Sequence, residues 1–387
     1  MDERSVVALV RGETRHSALI QALGLIAGPL RARVPVNVLL KPNLVSHVDP
    51  RPSTHAESLA LVIDALLAAG AERITVAEGA SQATVGFRNF GYHEELALRP
   101  VDYFDINRQE SEWLPLRLVG VDGTVRTARL SRFVAEASFR VSLALAKTHV
   151  STMVTLSLKN MLSSLHPADR VMMHGHSASA SAFPGWRGRV VDFLKQDNAL
   201  ARLTNQAAGL ARRTRARWLR LDRPNASASL RARDRAFLLS VEALNRNLVA
   251  LARATRPHLA VVDGFDAMHR EGPRHGTMRR LGVAIAGFDP VAVDAVAAAV
   301  MGFEPRSIGY LAYAEDFGLG HASLNRIEIL GDSIRDVRRR LVPHSNHAIH
   351  RHWQSLPDLE TVGPHTAPWP WIESRSPHKI QKPARKG

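Results

Sequence analysis

Seven of the 51 lysine and arginine side chains are lysine, and three of these sit in polar clusters that follow apolar runs: Lys41 in LLKPNLVSH, Lys147 in LALAKTHVS and Lys159 in LSLKNML. In a sequence that has replaced nearly every lysine with arginine, the survivors are candidates for positions where a planar, permanently charged guanidinium fails. Lysine is a compact charge whose pKa moves readily on desolvation. It suits an anion contact, a proton transfer or a Schiff base. The plainer reading of each is a surface lysine with its stem laid over apolar neighbours. Their neighbours add hydrogen-bonding groups: Asn43 and Ser46 beside Lys41, Thr148 and His149 beside Lys147, and Asn160 beside Lys159. Pro42 biases Lys41 toward extended geometry. His149 is a proton carrier or a hydrogen-bonded structural histidine.

A second constellation lies towards the C-terminus. A strand over Leu259–Val262 would deliver Asp263 at its end, and the loop MHREGPRHG supplies Glu271 and Gly272. An acid at a parallel strand's carboxyl end can bind a cation or move a proton; the structural alternatives are an Asx-type turn for Asp263 and a solvated charge for Glu271. Asp289 before Pro290 has the form of a helix N-cap. Asp294, on an otherwise apolar helix, should be paired, with one of the lysines as a candidate. His174 and His176, with His166 nearby, could contribute to a metal site alongside Asp263 and Glu271, a divalent cation being the implied ion. The histidines 344, 347, 350 and 352 also resemble a metal tract, but a loose surface tail accounts for them as well.

Several chemistries are excluded. The chain has no cysteine, which removes disulfides, thiolate catalysis and any cysteine-ligated iron–sulfur cluster. AEGASQATVG is not a GxGxxG loop, and neither a P-loop nor a GxSxG elbow occurs. The N-terminus lacks a signal-peptide apolar core and no run reaches the ~18 residues of a membrane span, so a soluble, cytoplasmic protein is expected.

These residues need a scaffold whose strand ends converge. Short apolar runs alternating with helical patterns predict βαβ units and an α/β fold with a mainly parallel sheet flanked by helices. Strands are expected at Ser5–Val10, Val36–Leu40, Arg73–Ala77, Asp102–Ile106, Phe139–Ala146, Leu281–Ala286 and Arg326–Leu330, with a hairpin around Asp122–Gly123. Helices are expected at His16–Ile26, Thr54–Ala69, Met153–Leu165, Ala236–Ala254, Pro290–Met301, Ile308–Asp316 and Arg335–Leu341. In open parallel sheets ligands bind outside the strands' carboxyl ends, where Lys41 and Lys147 fall. The chain divides into an N-terminal α/β half (1–165), a loop and basic helical insertion (166–235), a C-terminal half completing the same domain (236–341) and an extended tail (342–387). The Arg-rich insertion, with leucines at helical spacing and Trp218, reads as a basic amphipathic helix followed by a Pro/Asn/Ser loop. It would pack on the domain, or lie on a membrane or an acidic partner.

KPNLV, AKTHVSTMVTLSLKNML, DGFDAMHREGP and GFDPVAVDAVAAAVMGFEP followed by GLG resemble, in this order, the bacterial and archaeal domain of unknown function 362 family. The resemblance covers about 36–320 and implies an α/β domain with polar motifs around one site. It carries over to Lys41, Asn43, Lys147, Thr148, His149, Lys159, Asn160, Asp263, Glu271, Gly272, Pro273, Asp289 and Asp294. Some relatives are described as iron–sulfur proteins, a property this cysteine-free chain cannot share in the usual way. The reading is an enzyme for a small carboxylate- or phosphate-bearing substrate. Lys41 and Lys147 would hold the anion, Asp263 and Glu271 would bind a cation or move protons, and Lys159 and His149 would assist. On this reading Lys41→Ala and Lys147→Ala abolish binding with little loss of fold. The alternatives are a non-catalytic ligand- or cofactor-handling protein using the same pocket, and a basic protein binding nucleic acid or anionic membrane through 201–235. The net charge of +15 is compatible with the latter; oligomeric state is not readable.

Overall fold

Apolar alternation decides the architecture. In the strand Asn37–Lys41 (β2), Val38 and Leu40 enter one apolar cluster and Leu39 the other, so both faces of the sheet must be covered. The computed structural model describes residues 4–80, 82–108, 112–177, 198–219, 221, 230–354 and 369. The loop over 222–229 and the tail beyond 354, Trp369 excepted, lie outside them.

Among the described residues a nine-stranded mixed, mostly parallel sheet runs through the molecule. Its strands are β1 (Ser5–Arg11), β2, β3 (Arg73–Glu78), β4 (Val101–Asp105), β7 (Arg140–His149), β8 (Met153–Thr155), β9 (Leu259–His269), β10 (Thr277–Gly287) and β11 (Ile327–Gly331); β5 (Trp113–Val119) and β6 (Val125–Ser131) form a separate hairpin. The order is β11-β1-β10-β9-β7-β2-β3-β4, with β8 paired to β7. Helices Arg15–Leu25 and Ala56–Ala68 cover one face; Ala232–Thr255 and Pro290–Val300 cover the other. Strands from before residue 150 and after residue 259 are interleaved in this one sheet. The α/β expectation therefore holds.

Three local expectations do not. Met153–Leu165 is not one helix: Met153–Thr155 turns back antiparallel on β7, and only Ser157–Asn160 plus a 3-10 turn over Met161–Ser164 is helical. The β-branched Val154 and Thr155 suit the strand better than a helix start. Arg335–Leu341 is helical only over Ile334–Val337. Most consequentially, β9 does not stop at Val262. It runs eleven residues in all, from Leu259 to His269, and pairs antiparallel with β10, so Asp263 lies within a strand, not at its tip.

The expected loose tail is also corrected for its first part. His344, Ser345, His350, His352 and Trp353 are buried. His350 Nε2 lies 3.0 Å from the Ser151 carbonyl and His352 Nε2 lies 2.8 Å from that of Leu221. Histidines spaced for a metal tract serve here as packed, hydrogen-bonded core residues.

Candidate functional site at the strand ends

β2, β3 and β7 are parallel neighbours, so their carboxyl ends bring together the side chains that close them. Lys41 and Lys147 are both fully buried. Lys41 Nζ lies 2.8 Å from Glu78 Oε1, a buried ion pair between adjacent strand tips. Glu78 is saturated: Oε1 also accepts from the Gly79 and Ala80 amides (2.6 and 2.8 Å) and from Ser163 Oγ (2.5 Å), and Oε2 accepts from the Leu44 amide (3.1 Å). Such a pair is expensive to break, because the survivor is left charged in a dry site. Burial lowers the Lys41 pKa, partly offset by Glu78.

Lys147 Nζ donates to Asn43 Oδ1 and, at 2.6 Å, to the Pro52 carbonyl. Asn43 Nδ2 donates to Asn160 Oδ1 (2.8 Å), and Asn160 Nδ2 donates to the Lys41 carbonyl (3.2 Å) and to Ser142 Oγ (3.0 Å). Lys41, Asn43, Lys147 and Asn160 are thus one network. Burial and the nearby Lys159 charge push the Lys147 amine well below its usual range. Because both lysines are sealed inside this network, their truncation will damage the fold, contrary to the expectation that Lys41→Ala and Lys147→Ala leave it intact.

Lys159 is the amine left over. It is only partly exposed, and it has no hydrogen-bond or ion-pair partner among the described residues. Burial lowers its pKa to about 8. Its charge acts on three basic neighbours, Lys147, His149 and His174. Burial first, and Lys159 second, lower His174 to about 3 and His149 well below its usual range, which leaves two neutral imidazoles beside a lysine that titrates near neutrality. His149 Nδ1 accepts from the Ser151 and Thr152 amides (3.0 and 3.3 Å), so a neutral His149 carries its proton on Nε2.

Asp294 fixes the segment that carries Lys159. It accepts from the Ser157 amide (2.8 Å), Ser157 Oγ (2.5 Å) and the Leu158 amide (3.1 Å), with Tyr310 OH at 3.4 Å. Its partners are these donors, not a lysine. Burial outweighs the donors and raises its pKa to about 7. Asp289 caps its helix as expected, accepting from the Val291 and Ala292 amides at 2.9 and 3.2 Å. Ser46 shapes its own loop, its Oγ accepting from the Val48 and Asp49 amides (3.0 and 2.7 Å).

Neither acid expected in the site joins the lysine network: Asp263 is held by Arg15, and Glu271 lines the neighbouring cleft with its carboxylate already engaged. Asp263 accepts from Arg15 Nε (3.0 Å) and Ser58 Oγ (2.6 Å), and its other oxygen takes the Phe265 amide (3.0 Å), the short-range bond of an Asx turn. Glu271 is held by Arg212 and Arg213 (3.0 Å each), Ser345 Oγ (2.8 Å) and His344 Nε2 (3.1 Å). His176 is exposed. The four side chains expected to ligate a metal are therefore not brought together, and no cluster of three or more His, Asp or Glu suited to a metal ion occurs among the described residues.

Just past the end of β7 lies a cleft of about 350 Å³, lined among others by Val150, Arg212, Glu271, Gly272, Arg274 and His344, with none of the three lysines in its lining. Thr148 Oγ1 donates to the Arg270 carbonyl at 3.1 Å, and a Cβ at Gly272 would stand 2.2 Å from the Thr148 carbonyl oxygen. Close backbone approach of the 270–275 loop to the tip of β7 thus requires glycine there. Arg274 and His344 act electrostatically on Lys147 and His149 respectively, which links the cleft to the buried bases.

The profile of the family described as domain of unknown function (DUF362) matches residues 38–299, which include every one of these strand-tip residues. The chain belongs to the DUF362 family. Another relative of this DUF362 chain is a thylakoid-associated protein of Synechocystis, 36% identical over 72 residues, a match spanning 19% of this chain and 22% of that protein. The lactate racemase apoprotein from Thermoanaerobacterium thermosaccharolyticum aligns over 74% of this chain and 54% of its own, with 13% identity and a TM-score of 0.39.

Sequence reasoning missed Glu78 and Arg274, and read His344 only as one of a histidine tract, not as a cleft residue. Glu78 carried a signal: it closes the apolar run ITVAE one parallel strand away from Lys41, which closes VLLK. Arg274 and His344 carried none, since they reach the cleft through loops.

Proposed function

We propose that this protein is an enzyme acting on a small carboxylate- or phosphate-bearing substrate, with Lys159 as its titrating group. The supporting observation is that Lys159 is an amine without a hydrogen-bond or ion-pair partner among the described residues, with a pKa of about 8, set among the bases Lys147, His149 and His174. A site with surplus positive charge is relieved by an anion, and a base titrating close to working pH is suited to proton transfer. Lys41, Asn43, Lys147 and Asn160 act behind it as positioning residues, and Arg274 supplies further positive charge at the cleft. Buried lysine pairs of this kind cost stability, so their presence at a strand-end cleft favours a functional origin.

The test compares wild type with Lys159→Met. Each is incubated with a small-molecule extract and followed by mass spectrometry, with calorimetry against inorganic phosphate and acetate alongside. The expected result is catalytic loss of one anionic compound, with a matching product, in wild type alone. Depletion limited to one equivalent without a product would make the protein a carrier. Equal turnover by both proteins would remove Lys159 from the chemistry.

A further inference from the structure

The basic helix Ala199–Trp218 wears its amphipathicity in reverse. Its polar side chains are engaged inward: Arg202 with Asp49 (3.4 Å), Gln206 with the His275 carbonyl (3.3 Å), Arg212 and Arg213 with Glu271 (3.0 Å each), and Arg215 with Asp234 (2.8 Å). Ala201, Gly209 and Ala216 are the buried small residues that let it lie close. Facing out are Leu200, Leu203, Ala207, Leu210, Ala211 and Trp218, a single stripe at spacings of three and four. Leu203, Leu210 and Trp218 are 62%, 67% and 81% exposed. The threonines on this face turn their hydroxyls to their own helix, Thr204 to the Leu200 carbonyl (2.9 Å) and Thr214 to that of Leu210 (3.1 Å). An ordinary surface helix puts such a stripe against the core.

The charge around the stripe selects among occupants. At its Trp218 end stand the exposed Arg217, Arg231 and Arg233, while the neighbouring acid, Asp234, is buried and engaged by Arg215 at 2.8 Å and, more loosely, by Arg233 at 3.8 Å. A second copy of the chain would bring like charges together. A nucleic-acid backbone would satisfy the arginines but leave the leucines in water. An anionic lipid surface answers both features: phosphates for the guanidiniums, and upper acyl chains for an apolar stripe that ends in tryptophan. We propose that this helix, about 30 Å long, lies flat in the headgroup layer of an anionic membrane as a peripheral anchor. No helix among the described residues is long and apolar enough to cross a membrane. The inference does not rest on the strand-end site.

Flotation with phosphatidylcholine vesicles, with and without ~30% phosphatidylglycerol, tests it on the full chain at 0.1 M salt. Wild type should bind the anionic vesicles at least tenfold better than the neutral ones. Leu203→Asp with Leu210→Asp should lose at least tenfold, with an unchanged circular dichroism spectrum. Arg217→Glu with Arg233→Glu should erase the anionic preference. Absence of vesicle binding by wild type overturns the proposal, as does binding that survives the leucine changes. If wild type sediments as a dimer, the leucine variant as a monomer, and vesicles remain unbound, the face belongs to a second copy. Single-stranded RNA binding that needs the arginines but not the leucines, again without vesicle binding, assigns the face to nucleic acid.

Discussion

Replacing Lys159 with methionine should make the protein more stable. The amine's pKa falls from the ordinary lysine value of 10.5 to about 8 in the fold. At pH 7 both folded and unfolded chains carry the proton, and the folded state bears the cost of holding it, about 3 kcal/mol at 1.36 kcal/mol per pKa unit. The sign follows from proton counting: between pH 8 and 10.5 the unfolded chain binds more protons than the folded one, so wild-type stability rises with pH across that window. Methionine has a similar shape and no charge. The advantage of Lys159→Met should therefore be about 3 kcal/mol at pH 7 and less than half of that by pH 9.5. Urea denaturation of both proteins at pH 6, 7, 8.5 and 9.5 measures the gap, and other titrations cancel in the difference. A variant that is no more stable at pH 7, or a gap that does not narrow above pH 8, would refute the picture of an unpaired amine. A stabilising change that removes the proposed activity is the behaviour expected of a functional residue.

The buried Lys41–Glu78 pair gives a second test: Lys41→Met or Glu78→Gln alone should cost about 3–5 kcal/mol in chemical denaturation, and the double variant less than the sum of the singles. Gly272→Ala forces a methyl against the Thr148 carbonyl, so it should cost on the order of 2–4 kcal/mol and raise amide exchange in the 270–275 loop. Glu271→Gln should loosen the basic helix, seen as faster proteolysis and hydrogen exchange over 199–218 with little change in the sheet. Acid should do the same to wild type. Burial alone would raise the Glu271 pKa, but His344, Ser345 and Arg212 outweigh it and hold it below its usual value. Its contribution is thus intact above the unfolded carboxyl range and lost as pH falls through the depressed value.

The parallel half of the fold was legible because strands buried on both faces read as continuous apolar runs. Lysines closing such runs have few places to go, so VLLK and LALAK located the strand tips. Asn43 and Asn160 fell beside them through short-range sequence adjacency. Asp263 misled because Asp-Gly reads as a strand terminus, whereas antiparallel pairing with β10 carries β9 through it. Glu271 and His344 were read as a site acid and a loose tail residue. Their actual contact joins residues over seventy positions apart through two loops, and loops carry no periodicity from which such a meeting could be inferred. Lys159 was recognised as unusual for its residue type. What sets it apart, an amine with no counter-charge among the described residues, is a property of three-dimensional surroundings alone.

The order β11-β1-β10 has a consequence for synthesis. β1 pairs on one side with β10 (Val7 with Gly287) and on the other with β11 (Ser5 with Ile327). Of the strands of this sheet, the first to be synthesised therefore waits for the last two before both of its edges are paired. At ~5–20 residues per second the wait lasts on the order of tens of seconds. Through that interval the apolar run VVALV lacks both of its native neighbours in the sheet, so its burial is among the last steps of folding.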